Sequence, residues 1–274
     1  MTSVELDDFL CSLVEKVVRP FAYFPNRGNA GDALIYASEM QIFKRIGLNA
    51  ETVTDINAPL KGKTILYSGG GNLNNLYHNC AKFLESNDKP ELDNLIVLLP
   101  HSIFGREQLL ASLSDRVIIV CRERQTLVHV LQHFPHKENV FISHDAAFYA
   151  NMNELFERSS ESPTESKTLT CMRTDAEKTS AAFDAKANVD VSRLFPDQSF
   201  LSGPKRIGCA RDFLAYIDKY THVKTNRLHV CIAAAKLGKT VEFYGNSYFK
   251  NEAVFNHSFP HFKLDKNVRF VKDV

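Results

Sequence analysis

The chain lacks a surplus of charge of either sign: among 274 residues, 33 lysines and arginines face 32 aspartates and glutamates. Nucleic-acid binders normally carry a basic excess, so the balance argues against DNA or RNA as partner and makes any anion recognition local. A cysteine framework is also lacking. Cys11, Cys80, Cys121, Cys171, Cys209 and Cys231 are scattered without CxxC spacing, and Cys121 and Cys231 lie in apolar runs. They read as free, buried thiols of a reducing compartment, and no metal is expected. No apolar run approaches the roughly 18 residues of a membrane span. The opening MTSVELDDFLCSLVEKVV has acids where a signal peptide has bases, so a cytoplasmic location is expected. Neither GxGxxG nor the Lys-Ser/Thr of a P-loop occurs, which removes the common dinucleotide and nucleotide fingerprints.

What is present is a core. Hydrophobic residues make up 44% of the chain, too many for disorder. Val4, Phe9, Leu13, Val14 and Val17 predict an amphipathic helix over 4–18. FAYF (21–24) reads as a strand, and a helix follows from about Ala30 to Ile46, closed by Gly47. KTILYSGGGN reads as a strand running into three glycines, with a helix from about Leu73. LIVLLP (95–100), RVIIVCR (116–122) and VFISHD (140–145) read as strands, and ERQTLVHVLQHF as a helix. Continuous apolar strands alternating with helices predict a mostly parallel sheet covered on both faces. The polar ERSSESPTESK then reads as a linker. The alternation resumes beyond it: TLTCMR, HVKT and TVEFYG are strands, GCARDFLAYIDKY is a helix, and a short apolar helix runs from Val230 to Leu237. Two α/β lobes are expected, an N-terminal one over 1–155 and a C-terminal one over 168–274, joined by a linker over 156–167.

Ligands of such sheets gather at the carboxyl ends of strands, and the unusual clusters fall there. NRGNAGD offers the amides around Asn29 and Gly31 to an anion or sugar hydroxyl, with Asp32 as ligand or helix cap; a plain tight turn is the alternative. SGGGN sets Gly70, Gly71 and Asn72 where a ligand, or another backbone, comes close. LPHSI puts His101 and Ser102 at a strand end, as site residues or as a surface histidine with a capping serine. CRERQT offers Arg122 and Arg124, with ion pairing the alternative, chiefly for Arg124. SHDAAF adds His144 and Asp145, and Asp145 reads more readily as a helix cap than as a metal ligand. Arg173 directly follows a strand. TNRLHVCIAAAKLG then poses a physical question, because cations are disfavoured at the start of a helix. With Thr225 or Asn226 as cap, Arg227 and His229 stand beside free amides, which suits a bound phosphate or carboxylate. Pairing of Arg227 with a buried aspartate, and a core position for His229, form the alternative.

Taken in order, NRGNAGDALI, GGGNL, LPHSI, CRERQT, HDAAF, the Arg173 strand end, TNRLHVCIAAAKLGK and NSYFKN resemble the polysaccharide pyruvyl transferase family over about residues 20–256. The likeness lies in the ordered set. It implies two Rossmann-like lobes facing a cleft, similar to a glycosyltransferase of the B type. It implies transfer of a pyruvyl or enolpyruvyl group from phosphoenolpyruvate to sugar hydroxyls of an exopolysaccharide or its oligosaccharide precursor, giving a pyruvate ketal. Phosphoenolpyruvate is then a co-substrate, with no further cofactor. The resemblance implies that Arg173, Arg227 and His229 hold the donor, with His229 as the acid. Leu228 and Lys250 join that set, and Asn29, Gly31, Asp32, Gly70, Gly71, Asn72, His101, Ser102, Arg122 and Asp145 complete the candidate site. A saccharide acceptor, free or lipid-linked, is the implied partner, and a homo-oligomer is compatible with the reading.

The residue types suit the chemistry. Two arginines are a natural clamp for a carboxylate and a phosphate, and a histidine kept cationic by those anions can protonate the methylene carbon. Two other classes compete: a sugar-nucleotide glycosyltransferase of the same shape, and a non-catalytic scaffold in polysaccharide assembly. No carboxylate pair suited to gripping a ribose follows the C-terminal strands, which counts against the first.

Overall fold

The structure, a computed structural model, describes residues 3–55, 60–157, 167–178, 183–196 and 201–272. Most of the expected linker, 158–166, lies outside the described residues. The chain divides into two compact units, one of Met1–Asn26 with Glu39–Ala146, the other of Arg27–Ser38 with Ala147–Val274.

The first unit is built around a parallel sheet. Its elements run α1 (Leu6–Lys16), β1 (Phe21–Phe24), the later part of α2 (Ala30–Arg45), β2 (Ala50–Thr52), β3 (Thr64–Tyr67), β4 (Gly70–Asn74), α3 (Asn79–Asn87), β5 (Leu95–Phe104), α4 (Glu107–Ser112), β6 (Val117–Cys121), α5 (Arg124–His133) and β7 (Val140–Ile142). Strand order is β2-β1-β3-β5-β6-β7, with β4 also beside β5. The continuous apolar runs are buried on both faces, as their composition requires: Ile96, Leu98, Val117, Ile119 and Cys121 share one core cluster with Ile65 and Tyr67. On α1 the buried positions are Leu6, Leu10 and Leu13. The expected face of Phe9, Val14 and Val17 lies at its half-buried margin.

Two expectations are corrected here. The three glycines do not open a helix at Leu73. Gly70 has φ +150, which a side chain disfavours, and the segment continues as β4 beside β5, with Gly70 opposite His101 and Asn74 opposite Phe104. The Asn74 carboxamide oxygen then accepts the amides of Leu76 (2.8 Å) and Tyr77 (3.0 Å), which turns the chain toward α3. The second correction follows from the first. Pairing with β4 extends β5 to Phe104, so His101 and Ser102 lie inside a strand, beyond a register shift between Leu98 and His101, and not at its end.

The second unit carries the start of α2, α6 (Met152–Leu155), β8 (Thr168–Cys171), α7 (Gly203–Asp218), β9 (His222–Thr225), α8 (Leu228–Lys236), β10 (Thr240–Tyr244), α9 (Lys250–Ser258) and β11 (Val268–Val271). Its parallel sheet has the order β11-β10-β9-β8. Helix α8 is apolar all round because it is buried all round, from Val230 to Ala235. All six cysteines are free; five are buried as expected, and Cys11 is exposed. Among the described residues no helix is long and apolar enough to cross a membrane.

Candidate functional site

Parallel strands bring their carboxyl ends to one edge. In the second unit that edge carries Arg173 after β8, Arg227 after β9 and Lys250 at the head of α9, after β10. These cations are 9%, 4% and 6% exposed, and three carboxylates offset them. Arg173 Nε donates to Asp175 Oδ1 at 2.8 Å, and its Nη1 to Glu177 Oε2 at 2.9 Å. Arg227 Nε donates to Asp190 Oδ1 at 3.0 Å, and its Nη2 lies 3.4 Å from Asp175 Oδ2. Lys250 pairs with Glu177. The Asp175 carboxylate therefore lies between both guanidiniums. Burial pushes its pKa up, but the hydrogen bond and charge of Arg173 and the charge of Arg227 prevail and hold it at about 2. Arg227 pairs with aspartates, as the alternative supposed, though these are partly exposed, and it shares one anion with Arg173.

Backbone contacts fix this edge. Neither Thr225 nor Asn226 caps α8. The cap residue is Arg227, which makes no side-chain cap bond. Thr225 Oγ1 accepts the Arg227 amide at 2.9 Å, and Asn226 Oδ1 accepts the Arg173 amide at 2.7 Å, tying the ends of β8 and β9 together. Asn251 Nδ2 donates to the carbonyls of Asn226 and Tyr244 and adds the end of β10. Leu228 is buried in the first turn of α8, and His229 is half-buried beside it.

Helix α2 begins differently. Asn29 Oδ1 accepts the Gly31 amide at 2.8 Å, and Asp32 Oδ2 accepts the Asn29 amide at 2.9 Å. This is a reciprocal capping box. Two of the amides that an anion would need in NAGD are thus taken by side chains. Gly31 has another role: a Cβ there would lie 2.5 Å from His229 Nδ1. The structure places the starts of α2 and α8 side by side in one unit, with the imidazole against the bare Gly31.

The remaining candidates form a buried polar network in the first unit. Arg122 Nε donates to Ser102 Oγ at 2.8 Å, and its Nη1 pairs with Asp145 at 2.5 Å. Asp145 is thus the partner of Arg122. It also directly precedes the short 3-10 helix Ala146–Tyr149, the position expected of a cap, while Glu123 caps α5 by accepting the Thr126 amide and Arg124 is exposed at the head of that helix. His101 Nε2 lies 2.8 Å from Asn72 Oδ1, and Asn72 Nδ2 donates to Asn26 Oδ1 at 2.8 Å. Burial, then the Arg122 charge, pulls the His101 pKa down to about 3, so its ring is neutral near pH 7. His101, Ser102, Arg122 and Asp145 are essentially closed to solvent; Gly71 and Asn72 are half-buried.

Sequence reasoning missed Asp175, Glu177 and Asp190, and it missed Glu39. The Glu39 carboxylate is fully buried and accepts from Tyr23 Oη (2.6 Å), Ser68 Oγ (2.7 Å) and the Gly69 amide (2.9 Å). It fixes the start of the glycine run. A Cβ at Gly69 would meet the Pro100 carbonyl at 2.9 Å. A charged residue inside ASEMQIF, flanked by apolar helical positions, is the signal that could have found it.

A model of the family described as polysaccharide pyruvyl transferase matches residues 29–248. The crystal structure of a functionally uncharacterized protein from Klebsiella pneumoniae subsp. pneumoniae NTUH-K2044 is similar over 100% of both chains, with 30% identity and a TM-score of 0.82. No curated protein matches the chain. The family match takes in the Asn29–Asp32 capping box, Asn72, His101, Ser102, Arg122 and Asp145 of the first unit's buried network, and both Arg173 and Arg227. On that span, the chain belongs to the polysaccharide pyruvyl transferase family.

Proposed function

We propose that this protein transfers a pyruvyl group from phosphoenolpyruvate to two hydroxyls of a saccharide, forming a cyclic ketal and releasing phosphate. The observation that carries the reading is the Asp175 carboxylate held between Arg173 and Arg227, at the head of a helix with no side-chain cap and with His229 in its first turn. A site that already accommodates one carboxylate between two guanidiniums suits a ligand that brings its own. The donor carboxylate takes the place of Asp175, and the phosphate lies toward the first-turn amides of α8.

In this scheme His229 protonates the donor methylene carbon, and the charge left at C2 is met by a saccharide hydroxyl, which loses its proton. Phosphate leaves, and a second hydroxyl adds to C2 to close the ring. Donor binding is assigned to the second unit and acceptor binding to the first, the division of labour of a B-type glycosyltransferase. The acceptor is an exopolysaccharide precursor, free or lipid-linked, on the cytoplasmic side.

Mass spectrometry of oligosaccharides incubated with the enzyme and phosphoenolpyruvate tests the reading, alongside phosphate release. A pyruvyl adduct formed in step with phosphate is the expected result. Consumption of a sugar nucleotide, with phosphoenolpyruvate untouched, would assign the site to glycosyl transfer instead.

A further inference from the structure

One side-chain cluster away from the donor and acceptor residues has the chemistry of a metal site. His129 and His133 are four residues apart on α5 and so lie on one face of that helix. Their ring centroids are 4.9 Å apart. Glu107, the first residue of α4, completes the group: one ring nitrogen of each histidine and one carboxylate oxygen lie within 4.8 Å of one another. All three belong to the first unit.

The surroundings of His129 match what a ligating histidine requires. His129 Nε2 is 2.9 Å from the Gly105 carbonyl oxygen. A carbonyl only accepts, so that nitrogen carries the proton and Nδ1 keeps its lone pair for a cation. A backbone carbonyl commonly fixes metal-binding imidazoles in this way. The turn that supplies both this carbonyl and Glu107 is itself held in place. Arg106, between them, has φ +64, an uncommon conformation for a residue with a side chain. Its guanidinium donates at 2.9 Å to the carbonyls of Asn74 and Tyr77 and lies 2.8 Å from His78 Nδ1. The histidines are half-buried and Glu107 is exposed, so a cation reaches them directly from solvent.

We propose that Glu107, His129 and His133 bind one divalent transition-metal cation of the zinc class, with water completing the coordination. Two imidazoles and one carboxylate favour zinc, cobalt, nickel or copper over the oxygen-seeking magnesium and calcium. The cation ties the start of α4 to α5. It takes no part in pyruvyl transfer, and the proposal stands whether or not the functional reading above holds.

Protein stripped with a chelator and dialysed is titrated with zinc chloride by calorimetry, beside His133→Gln and Glu107→Gln. Neither side chain is buried, and thermal midpoints in chelator establish that both variants fold. The wild type is expected to take up one zinc ion that each variant binds about 10–100-fold more weakly or not at all. Zinc is expected to raise the wild-type midpoint and leave those of the variants nearly unchanged, with magnesium inert on all three. Equal zinc uptake by wild type and both variants overturns the proposal, since the ion then sits on other histidines. Absence of zinc uptake by the wild type overturns it as well.

Discussion

Alanine at position 31 sets stability against activity. Its Cβ would stand 2.5 Å from His229 Nδ1 and 2.9 Å from the imidazole Cγ, where ordinary contact begins near 3.4 Å. The ring, or the start of α2, must therefore yield by about 0.9 Å. The helix itself gains: alanine is favoured over glycine by about 0.5–1 kcal/mol at a helical position. Crowding opposes this by about 1–3 kcal/mol where neighbours cannot relax. The His229 Cβ, fixed to α8, also stands 2.9 Å from the added carbon, so turning the ring alone does not relieve the contact, and a net loss of up to about 2 kcal/mol is expected, which the fold survives. Catalysis is less forgiving, because a misplacement of about 1 Å can cost roughly 10²-fold in rate. The assay is phosphate release at saturating phosphoenolpyruvate and acceptor, read beside donor affinity and thermal midpoint. The expectation is a modestly lowered midpoint, little change in donor affinity and a fall in kcat of about 10²-fold. Gly208→Ala is the control. It lies in α7 with nothing within 4 Å of the added carbon, so it should gain helix stability and leave kcat alone. A folded Gly31→Ala protein with wild-type kcat would refute the placement of His229 as the reacting acid.

Three further outcomes follow from the same geometry. His229→Asn keeps a hydrogen-bonding side chain without a titratable proton; kcat should fall roughly 10²–10⁴-fold with the midpoint and donor affinity nearly kept, and a folded, fully active variant would remove the acid role. Asp175→Asn removes the carboxylate that competes with the donor for Arg173 and Arg227; donor KM should fall by up to about fivefold, given the modest worth of a partly exposed pair, and a rise in KM would make Asp175 part of the donor site. Burial raises the Glu39 pKa from 4.5 to about 7, against hydrogen bonds from Tyr23, Gly69 and Ser68. The folded state then holds this proton more tightly than the unfolded chain, so stability falls as pH rises from about 4.5 through 7, by up to about 3 kcal/mol. Denaturant melts across that range should show a shallower decline for Glu39→Gln, and parallel wild-type and variant curves would contradict it.

The legible parts of this fold are those with local signals. RVIIVC is a strand because a continuous β-branched and apolar run survives only where both faces are covered, whereas HVKT, buried at Val223 and Thr225 alone, shows the two-residue alternation of a half-covered strand. SGGGN misled because glycines carry no periodicity, and what makes Gly70–Asn74 a strand is its pairing with β5, far along the chain. The same pairing moved His101 and Ser102 into a strand. NAGD is legible as a helix start: an asparagine followed three residues later by an acid is a capping box, in keeping with the reading of Asp32 as a cap. Asp175, Glu177 and Asp190 gave no signal, because they lie in irregular segments between β8 and α7 where no period marks a buried charge.

Those three carboxylates bear on the puzzle of a helix that starts with an arginine and a histidine. An unpaired guanidinium as buried as Arg227 would cost several kcal/mol, so the unliganded fold needs internal anions. They are not equivalent. The Glu177 and Asp190 side chains are 3% and 13% exposed, Glu177 against Arg173 and Lys250 and Asp190 against Arg227, whereas Asp175 is 31% exposed and bridges the two arginines. Asp175 is therefore the carboxylate cheapest to return to water, and the one whose departure frees both guanidiniums together. Arg173 keeps Glu177 and Arg227 keeps Asp190 during that exchange, so neither cation is left bare. A donor that brings a carboxylate restores the bridge, and its phosphate supplies the charge that the uncapped amides of α8 lack. On this account the cations at the head of α8 are tolerated in the unliganded protein by internal pairing and become favourable when the donor arrives. Helix α2, with its side-chain capping box, needs no such partner.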